Sequence, residues 1–251
     1  MKELRRLLIS QERLEDVKHN QFILSLNNKE SHYIDNVLRL KNGDQINLVN
    51  GKGSLWKAFK YTKSFLKLNT NNLDPDLYKE NNKPLIGLAI ALPKKGIENV
   101  ITMSTEIGID LIQPIISDRQ LIKDFKEKTK IRLMSLMKES LEQSERLWVP
   151  EIYDLIPYDS FIRESSYSKN VLIANTREEN CLDLIQTLNK INKPLTEIWI
   201  TIGPEGGWSP RELELSDKYK ITRINLNQNI LRTSTAAIVA TNLLSQWRMT
   251  L

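Results

Sequence analysis

The 251-residue chain carries 36 Lys and Arg residues against 31 Asp and Glu, a formal charge of +5 that is compatible with RNA binding but not diagnostic of it. It is long enough to bury a substantial core in one large domain or in a small and a medium one, and its single cysteine, Cys181, excludes an intramolecular disulfide and a multi-cysteine metal site. No apolar stretch reaches the length of a membrane helix, and the apolar run near the start is too short for a signal peptide, so we expect a cytoplasmic protein with no membrane partner.

Residues 1–72 are predicted to form a small, mostly β module. Short apolar runs alternate there with turns, and Asn50-Gly51 between two of these runs is a strong signal for a β-hairpin. A short helix is expected over residues 31–39, with Ile34, Val37 and Leu38 on its apolar face. The predicted strands are 5–9, 21–26, 45–49 and 55–61.

A polar stretch follows this module. Residues 73–83 contain almost nothing that could be buried, and the same polar character begins at Asn69. Such a composition is typical of a linker or a long loop.

Residues 84–251 are predicted to form a second, α/β domain. Short apolar runs alternate with helical segments, which indicates a parallel sheet covered by helices on both faces. The predicted strands are 85–92, 111–116, 170–174, 197–202 and 222–226. The predicted helices are 97–107, 126–145, 178–189, 210–219 and 233–249.

A glycine-rich turn follows the predicted strand 197–202. Gly203, Gly206 and Gly207 lack the side chains that would keep a ligand from the backbone, and they permit positive φ angles. A Ser-x-x-Glu capping box beginning at Ser209 then marks a helix start. The alternative is a tight strand-to-helix connection without a ligand, which is the commoner meaning of an isolated Gly-Gly turn.

A second polar loop joins the strand 222–226 to the last predicted helix, for which Thr233 or Ser234 is the expected N-cap. Arg232 stands at this helix start, where its charge opposes the helix dipole, so helix stability does not explain it. We therefore favour a role in binding an anion or orienting a substrate over a solvated arginine. The buried face of the helix is predicted to contain Ala236, Ala240, Leu243, Leu244 and Trp247.

These two segments, about twenty residues apart, together resemble the signatures of the SPOUT methyltransferases. Within that superfamily the order of segments is similar to the RsmE family, which methylates N3 of a uridine in small-subunit ribosomal RNA with S-adenosylmethionine. The resemblance covers essentially the whole chain, through the further segments Arg5-Arg6, 32–39, 91–94, 105–110, 112–119 and 142–146.

The resemblance implies a fold, a cofactor and an oligomeric state. The first domain would be a PUA-like β-barrel that binds RNA, and the second a SPOUT methyltransferase domain with a trefoil knot, in a homodimer without a metal. S-Adenosylmethionine would bind between the two loops, at Ile202, Gly203, Pro204, Glu205, Gly206, Gly207, Leu226, Asn227, Ile230, Leu231, Thr233 and Ala236.

It also implies catalytic and RNA-binding residues. Arg232 would stabilise the negative charge on a deprotonated base, and Glu205 would be the general base. For Glu205, a loop carboxylate bonded to neighbouring amides is the alternative. Ribosomal RNA would be bound by Arg5, Arg6, His32, Arg39, Lys41, Arg119 and Arg146, each of which could instead be a solvated or packed side chain.

Four positions depart from the family pattern: Ser234 stands at a usual glutamate, Asn227 at a glycine, Glu145 at a glycine or small residue, and Met103 near a frequent lysine. Because the glycine turn and Arg232 are intact, we interpret these departures as drift within an active enzyme. A non-catalytic RNA-binding or ribosome-assembly factor, or a SPOUT methyltransferase acting on another RNA site, are the alternatives. The absence of Gly-x-x-x-x-Gly-Lys-Ser/Thr and of Gly-x-Gly-x-x-Gly counts against a nucleotide-dependent enzyme.

Overall fold

The computed structural model describes residues 5–70, 72–165, 170–175, 181–191 and 194–251, apart from the side chains of residues 18 and 19. The chain divides into two compact units. The first contains Met1–Asn81 and Leu141–Val149, and the second contains Asn82–Ser140 and Pro150–Leu251. The inclusion of residues 141–149 in the first unit was not predicted, because the sequence pattern there only continues a helix.

A six-stranded sheet lies at the centre of the first unit. Its strands are β1 (Arg6–Leu8), β2 (Ile23–Ser25), β3 (Gln45–Val49), β4 (Ser54–Thr62), β5 (Phe65–Leu68) and β6 (Leu77–Tyr78). The order is β1-β3-β4-β5-β2, with β6 beside β4, and only β1 and β3 are parallel among these pairs. β6 falls inside the stretch predicted to be a linker, so that stretch contributes to the sheet.

The predicted hairpin at Asn50-Gly51 is confirmed by the antiparallel pairing of β3 with β4. Gly51 has φ +69° and Gly53 has φ +93°, a backbone region that glycine adopts without strain. Leu48 and Ala58, one on each strand, have no solvent exposure and contribute to the core of this unit.

The helical parts of the first unit differ from the prediction. Helix α1 (Gln11–His19), capped by Ser10, was not predicted, and the expected helix over 31–39 is α2 (Asn28–His32) followed by a π-helical turn (Tyr33–Val37). In that turn the N–H of Leu38 bonds the carbonyl of Tyr33, so an additional residue fits into the turn. The predicted apolar face was therefore wrong at one position, since Val37 is 59% exposed while Ile34 is buried.

An eight-stranded sheet lies at the centre of the second unit. Its strands are β7 (Leu85–Ala91), β8 (Leu111–Ile116), β9 (Glu151–Ile152), β10 (Ile156–Pro157), β11 (Asn170–Ala174), β12 (Leu182–Asp183), β13 (Glu197–Ile202) and β14 (Thr222–Asn225). The order is β10-β8-β7-β13-β11-β14-β12, with β9 beside β8, and all of these pairs are parallel. The prediction of a parallel sheet is confirmed.

Helices pack on both faces of this sheet, as predicted. The helices are α3 (Ile97–Ile107), α4 (Glu127–Gln143), α5 (Tyr158–Ser165), α6 (Leu184–Asn189), α7 (Pro210–Lys218) and α8 (Thr233–Arg248). Alternate residues of β7 point into two separate cores, Leu88 with residues of α3 and α8, and Ala89 with residues of α5. Gly87 leaves room for Trp199, because a Cβ there would lie 2.2 Å from the indole ring.

Predictions for four helices need correction. Helix α5 was missed, and α4 ends at Gln143 rather than 145, because Glu145 has φ +59°, which a helix cannot continue. The helix predicted over 178–189 begins at Leu184, capped by Asp183; residues 178–180 lie outside the described part of the chain. On α8 the buried face contains Ala237, Ala240, Thr241, Leu244, Ser245 and Trp247, whereas Ala236 and Leu243 are only partly buried.

Candidate functional site

A cavity of about 470 Å³ opens at the carboxyl ends of β11, β13 and β14. Open parallel sheets bind ligands at this edge. Two segments form much of its wall: residues 203–207, called here the glycine loop, and residues 226–231, called the asparagine loop. Ten of the twelve predicted cofactor residues line the cavity: Ile202, Gly203, Pro204, Glu205, Gly207, Leu226, Ile230, Leu231, Thr233 and Ala236.

A hydrogen bond links the glycine loop to the start of α8. The hydroxyl of Thr233 donates to the carbonyl oxygen of Gly203 at 3.1 Å. Within the loop, the N–H of Gly207 donates to the carbonyl oxygen of Pro204 at 2.9 Å, which closes a turn. The two predicted segments therefore meet through a defined side-chain contact.

Close packing against the protein is a second reason for glycine at two of the three loop positions. A Cβ on Gly203 would lie 2.9 Å from the ring of Trp208, and one on Gly206 would lie 3.1 Å from Cβ of Arg119. These glycines make room for protein side chains. Only Gly207 has open space around its Cβ position, and its φ of +70° requires glycine for conformational reasons.

Trp208 is a wall of the cavity that sequence reasoning missed. Its Nε1–H donates to the carbonyl oxygen of Ala174 at 2.9 Å, and its ring lies 4.9 Å from that of Tyr158. Ala174 ends β11, so the indole closes the space between two strand ends. Its position immediately after the Gly-Gly pair could have predicted this role, because a large aromatic side chain beside glycines can fill the space that they leave.

A network of charged residues lies at the start of α7, shortly after the glycine loop. Arg211 on α7 makes a bidentate pair with Asp118, at 2.8 and 3.0 Å, and also contacts Asp159 at 2.7 Å. Bonds from Arg211 first, and from Ser209 second, lower the pKa of Asp118. A lowered pKa means that this network stabilises the fold above the ordinary pKa of an aspartate and loses that contribution as the pH falls through the lowered pKa.

The predicted capping box at Ser209 is present, and its glutamate also bonds a residue outside the helix. Glu212 is fully buried, and its carboxylate accepts the N–H groups of Ser209 at 2.8 Å and of Asp118 at 3.0 Å. It therefore connects the loop after β8 to the end of the glycine loop. Sequence reasoning identified the cap but not the bond to Asp118.

Arg232 lies at the cavity, and its place in the helix corrects the predicted cap. It is the N-cap of α8, with an extended backbone (φ −64°, ψ 151°), whereas Thr233 and Ser234, the predicted caps, belong to the helix itself. The guanidinium is exposed and has no hydrogen-bond or ion-pair partner within the described part of the chain. A cation at a helix N-terminus without a neutralising acid is available to bind an anion.

Glu205 also lines the cavity, and one of its carboxylate oxygens already has a partner. The backbone N–H of Lys94 donates to Oε1 of Glu205 at 2.9 Å. This is the bond to a neighbouring amide that the alternative interpretation describes. A general-base role for Glu205 stays a prediction.

Asn227 and Gly206 are the two predicted cofactor residues that do not line this cavity. Asn227 lines a second, polar cavity of about 400 Å³ with Cys181, Asp183, Asn225, Gln228 and Asn229. Its side chain accepts the N–H of Asn229 at 2.9 Å, and its φ is not positive. The asparagine therefore shapes the loop without needing the left-handed backbone that glycine favours.

The predicted RNA-binding residues lie in different environments. Arg119 lines the cavity of the second unit and donates to the carbonyl oxygen of Gly206 at 3.2 Å. His32, Arg39 and Lys41 are exposed on the first unit, where the His32 ring contacts the side-chain amide of Asn36 at 2.8 Å. These four side chains are accessible to a large ligand.

Arg6, which was predicted to contact RNA, is buried rather than exposed, and an RNA contact by it stays a prediction. It is 9% exposed, and its guanidinium donates to the carbonyl oxygens of Glu145 and Arg146 and pairs with the Glu145 carboxylate at 3.4 Å. Desolvation lowers the pKa of Arg6, against the opposing effect of Glu145. Arg5 and Arg146 are half-buried, and Arg5 donates to the carbonyl oxygen of Leu38.

Across the residues that the structure describes, no three His, Cys, Asp or Glu side chains form a group that could hold a metal ion. None of the helices in that part of the chain is both long and apolar enough to cross a bilayer.

The sequence matches two protein families. One is described as an RNA methyltransferase domain and matches residues 79–245; the other is described as an RNA methyltransferase PUA domain and matches residues 26–59. The two matches together cover parts of both units. They agree with the division of the fold into a β-rich unit and a parallel α/β unit.

Three similar proteins extend this comparison. The ribosomal RNA small subunit methyltransferase E of Synechocystis sp. is 32% identical over 219 residues, which is 86% of this chain and 71% of the relative. The protein of the same name from Rickettsia conorii is 34% identical over 215 residues, 83% of each chain. A methyltransferase from Legionella pneumophila, solved in complex with the cofactor SAM, is 26% identical with a TM-score of 0.76, covering 97% of this chain and 98% of that one.

Proposed function

The chain belongs to the ribosomal RNA small subunit methyltransferase E family, and from that premise we propose that it methylates N3 of a uridine in 16S, small-subunit, ribosomal RNA with S-adenosylmethionine. The observation that carries the proposal is the cavity of about 470 Å³ between the glycine loop and the asparagine loop. Its size falls in the range of roughly 300–1,000 Å³ that small-molecule sites occupy. Its apolar walls and its backbone groups at strand ends suit a nucleoside.

S-Adenosylmethionine supplies a methyl group already activated by a positively charged sulfur. The residues of the chain therefore have to align the incoming nitrogen and exclude water. Ile202, Leu231 and Trp208 offer apolar surface, and the glycine loop offers backbone donors and acceptors. Arg232 stabilises the negative charge that develops on the base as N3 loses its proton.

The proposal that the substrate is RNA is supported by exposed, positively charged side chains. Exposed His32, Arg39 and Lys41 on the PUA unit, together with Arg119 at the cavity, would contact phosphates or stack on bases. Arg5 and Arg146, which are half-buried, are weaker candidates on the same ground. The division into an RNA-binding module 1–72 and a methyltransferase domain 84–251 belongs to the same proposal, with β6 in the stretch 73–83 that was predicted to be a linker. A cytoplasmic location with the ribosome belongs to it as well.

The proposal also includes two finer features of the fold. The first unit would be a barrel, and the second unit would contain a trefoil knot. For the knot, the supporting observation is that α8, the last helix, packs beside α3 and bonds its end. Ser245 donates to the carbonyl oxygen of Ile107 at 2.9 Å, and Arg248 donates to that of Gly108 at 2.9 Å. Helix α8 is thus held against an earlier helix of the same unit.

A test of the function uses the cofactor and the RNA separately. Saturating S-adenosylmethionine at about 100 times its Kd should stabilise the protein by about 2.7 kcal/mol, which is roughly 5–10 °C in melting temperature. Deleting the gene should remove one stop to reverse transcriptase in small-subunit ribosomal RNA, because a methyl at N3 blocks Watson–Crick pairing. Purified protein should restore that stop on small subunits from the deletion strain.

The contrary outcomes separate the alternatives. An unmoved melting curve with no heat of binding would favour a non-catalytic RNA-binding or ribosome-assembly factor. A lost mark in another RNA, or on a ribose, would favour a SPOUT methyltransferase with a different substrate site.

A homodimer is the proposed oligomeric state. Met103 on α3 is 44% exposed and Met249 beside α8 is 77% exposed, on two helices that pack together, and twofold pairing is the commonest symmetry of oligomers. Light scattering at micromolar concentration should return twice the chain mass of 29.1 kDa. A mass equal to one chain would refute the dimer.

A further inference from the structure

Four exposed cations surround the cavity of the second unit. Lys94 and Lys95 follow β7, Arg119 follows β8, and Arg232 precedes α8. Of these, Arg119 and Arg232 line the cavity directly, and among the described residues that line it Glu205 is the only acid. Within the described part of the chain, the two lining cations and Glu205 leave a charge of +1 on the cavity wall, and the exposed Lys94 and Lys95 add two further positive charges next to it.

The position of the two lysines follows from contacts at both ends of their segment. The backbone N–H of Lys94 bonds Glu205 in the glycine loop at 2.9 Å. Two residues later, a Cβ on Gly96 would lie 3.4 Å from Cβ of Ser234 in the first turn of α8. Lys94 and Lys95 therefore lie between the glycine loop and the start of α8, beside Arg232.

These cations differ from many others of the same unit in having no ion-pair partner among the described residues. Away from the cavity, Arg211, Arg223, Lys130 and Arg132 form ion pairs with aspartates or glutamates at 2.5–3.3 Å. No ion pair joins Lys94, Lys95, Arg119 or Arg232 to any residue that the structure describes. Unneutralised charge of one sign beside a cleft raises the local concentration of a ligand of opposite charge.

We propose that Lys94 and Lys95 bind the phosphates that flank the target nucleotide, and so hold a single-stranded RNA segment across the mouth of the cavity. The inference rests on the proposed function, since it names how the substrate reaches the same site. A lysine is a compact point charge that contacts phosphate without reading base identity. The two lysines would therefore fix the position of the strand while one base enters the cavity.

The test is the salt dependence of RNA binding by Lys94→Ala/Lys95→Ala. Binding to small ribosomal subunits from a strain lacking the gene is measured by co-sedimentation, so the readout does not require methyl transfer. Each lost contact to a single-stranded phosphate should lower the slope of log K against log salt by about 0.7, and hence by about 1.4 in total. Between 50 and 200 mM salt, the wild-type Kd should accordingly rise about sevenfold more than that of the variant.

The matched control is Lys190→Ala/Lys218→Ala, which removes the same charge from the far edge of the sheet. Lys190 follows α6 and Lys218 ends α7, both before strands begin, and both are exposed. The control should keep the wild-type slope, and both variants should keep the wild-type melting temperature and affinity for S-adenosylmethionine.

Three results would overturn the inference. If the slope of log K against log salt is unchanged in Lys94→Ala/Lys95→Ala, the two lysines do not contact phosphates. If the slope falls equally in the control variant, the effect comes from the net charge of the protein rather than from these two positions. A weakened affinity for S-adenosylmethionine would place the lysines at the cofactor instead. Failure of the proposed function would look different, because the wild-type protein would then bind subunits without methylating them.

Discussion

Replacing Arg232 by alanine should abolish methyl transfer and leave the melting temperature unchanged. The side chain is exposed at the cavity and makes no bond to other described residues, so its removal costs the fold little. It is also electrostatically misplaced at a helix N-terminus, so alanine removes an unfavourable charge there. Loss of one group that stabilises a developing oxyanion lowers kcat by about 10²–10³-fold.

The measurement is single-turnover methylation of small subunits by Arg232→Ala, with Arg132→Ala as the control. Arg132 is an exposed arginine whose partner is Glu98 on the surface, so that variant should turn over normally. A variant Glu205→Gln adds a second comparison, since glutamine keeps the acceptor for the Lys94 N–H but cannot take up a proton. Turnover by Arg232→Ala within a few-fold of wild type would remove Arg232 from the catalytic groups, and near-normal turnover by Glu205→Gln would do the same for Glu205.

Breaking the buried ion pair between Asp110 and Arg248 should cost about 3–5 kcal/mol, which lowers the melting temperature by roughly 10 °C. The two side chains are 2% and 8% exposed. Arg248 also donates to the carbonyl oxygens of Gly108 and Pro84, and Asp110 accepts the N–H of Ile86 at 2.9 Å. Removing either partner leaves an uncompensated buried charge and unpaired backbone groups.

The experiment compares Arg248→Met, Asp110→Asn and the double variant by thermal melting. Because a buried charge without its partner is the main cost, the double variant should be less unstable than the sum of the two single changes. Arg132→Met, which breaks an exposed pair, should stay within about 0.5 kcal/mol of wild type. Two results would contradict the prediction that this ion pair stabilises the fold. The losses in free energy of unfolding could be additive in the double variant, or the loss for Arg248→Met could be below about 1 kcal/mol.

Much of the second unit could be predicted from sequence because its strands are short apolar runs with clear ends. The bounds of β8, β11 and β13, and of α3, match the predicted ranges. Helix α5 was missed because its eight residues are too few for a secure helical period; Tyr158 and Phe161 become buried only through contacts with residues of distant elements. In the first unit, the π-helical turn that exposes Val37 has no signature in the sequence pattern.

The candidate site was predicted in outline, but the roles of several residues depend on distant contacts. The sequence pattern explains Gly203 and Gly206 by the approach of a ligand, whereas their Cβ positions also lie against Trp208 and Arg119. Arg6 looked like an exposed cation because its partners lie about 139 residues later in the chain. Local sequence patterns carry no information about such pairs.

Two parts of the cavity wall differ in how many contacts hold them in place: the start of helix α8 and the asparagine loop. Three polar contacts join α8 to α3 and its end: Thr241 to Ser104 at 3.3 Å, Ser245 to the Ile107 carbonyl, and Arg248 to the Gly108 carbonyl. Thr233 ties the other end of α8 to Gly203. Sliding of α8 would break bonds at both of its ends, whereas residues 227–230 of the asparagine loop are exposed and free of such anchors. We therefore expect the asparagine loop, rather than α8, to shift when the cavity takes up ligands of different size.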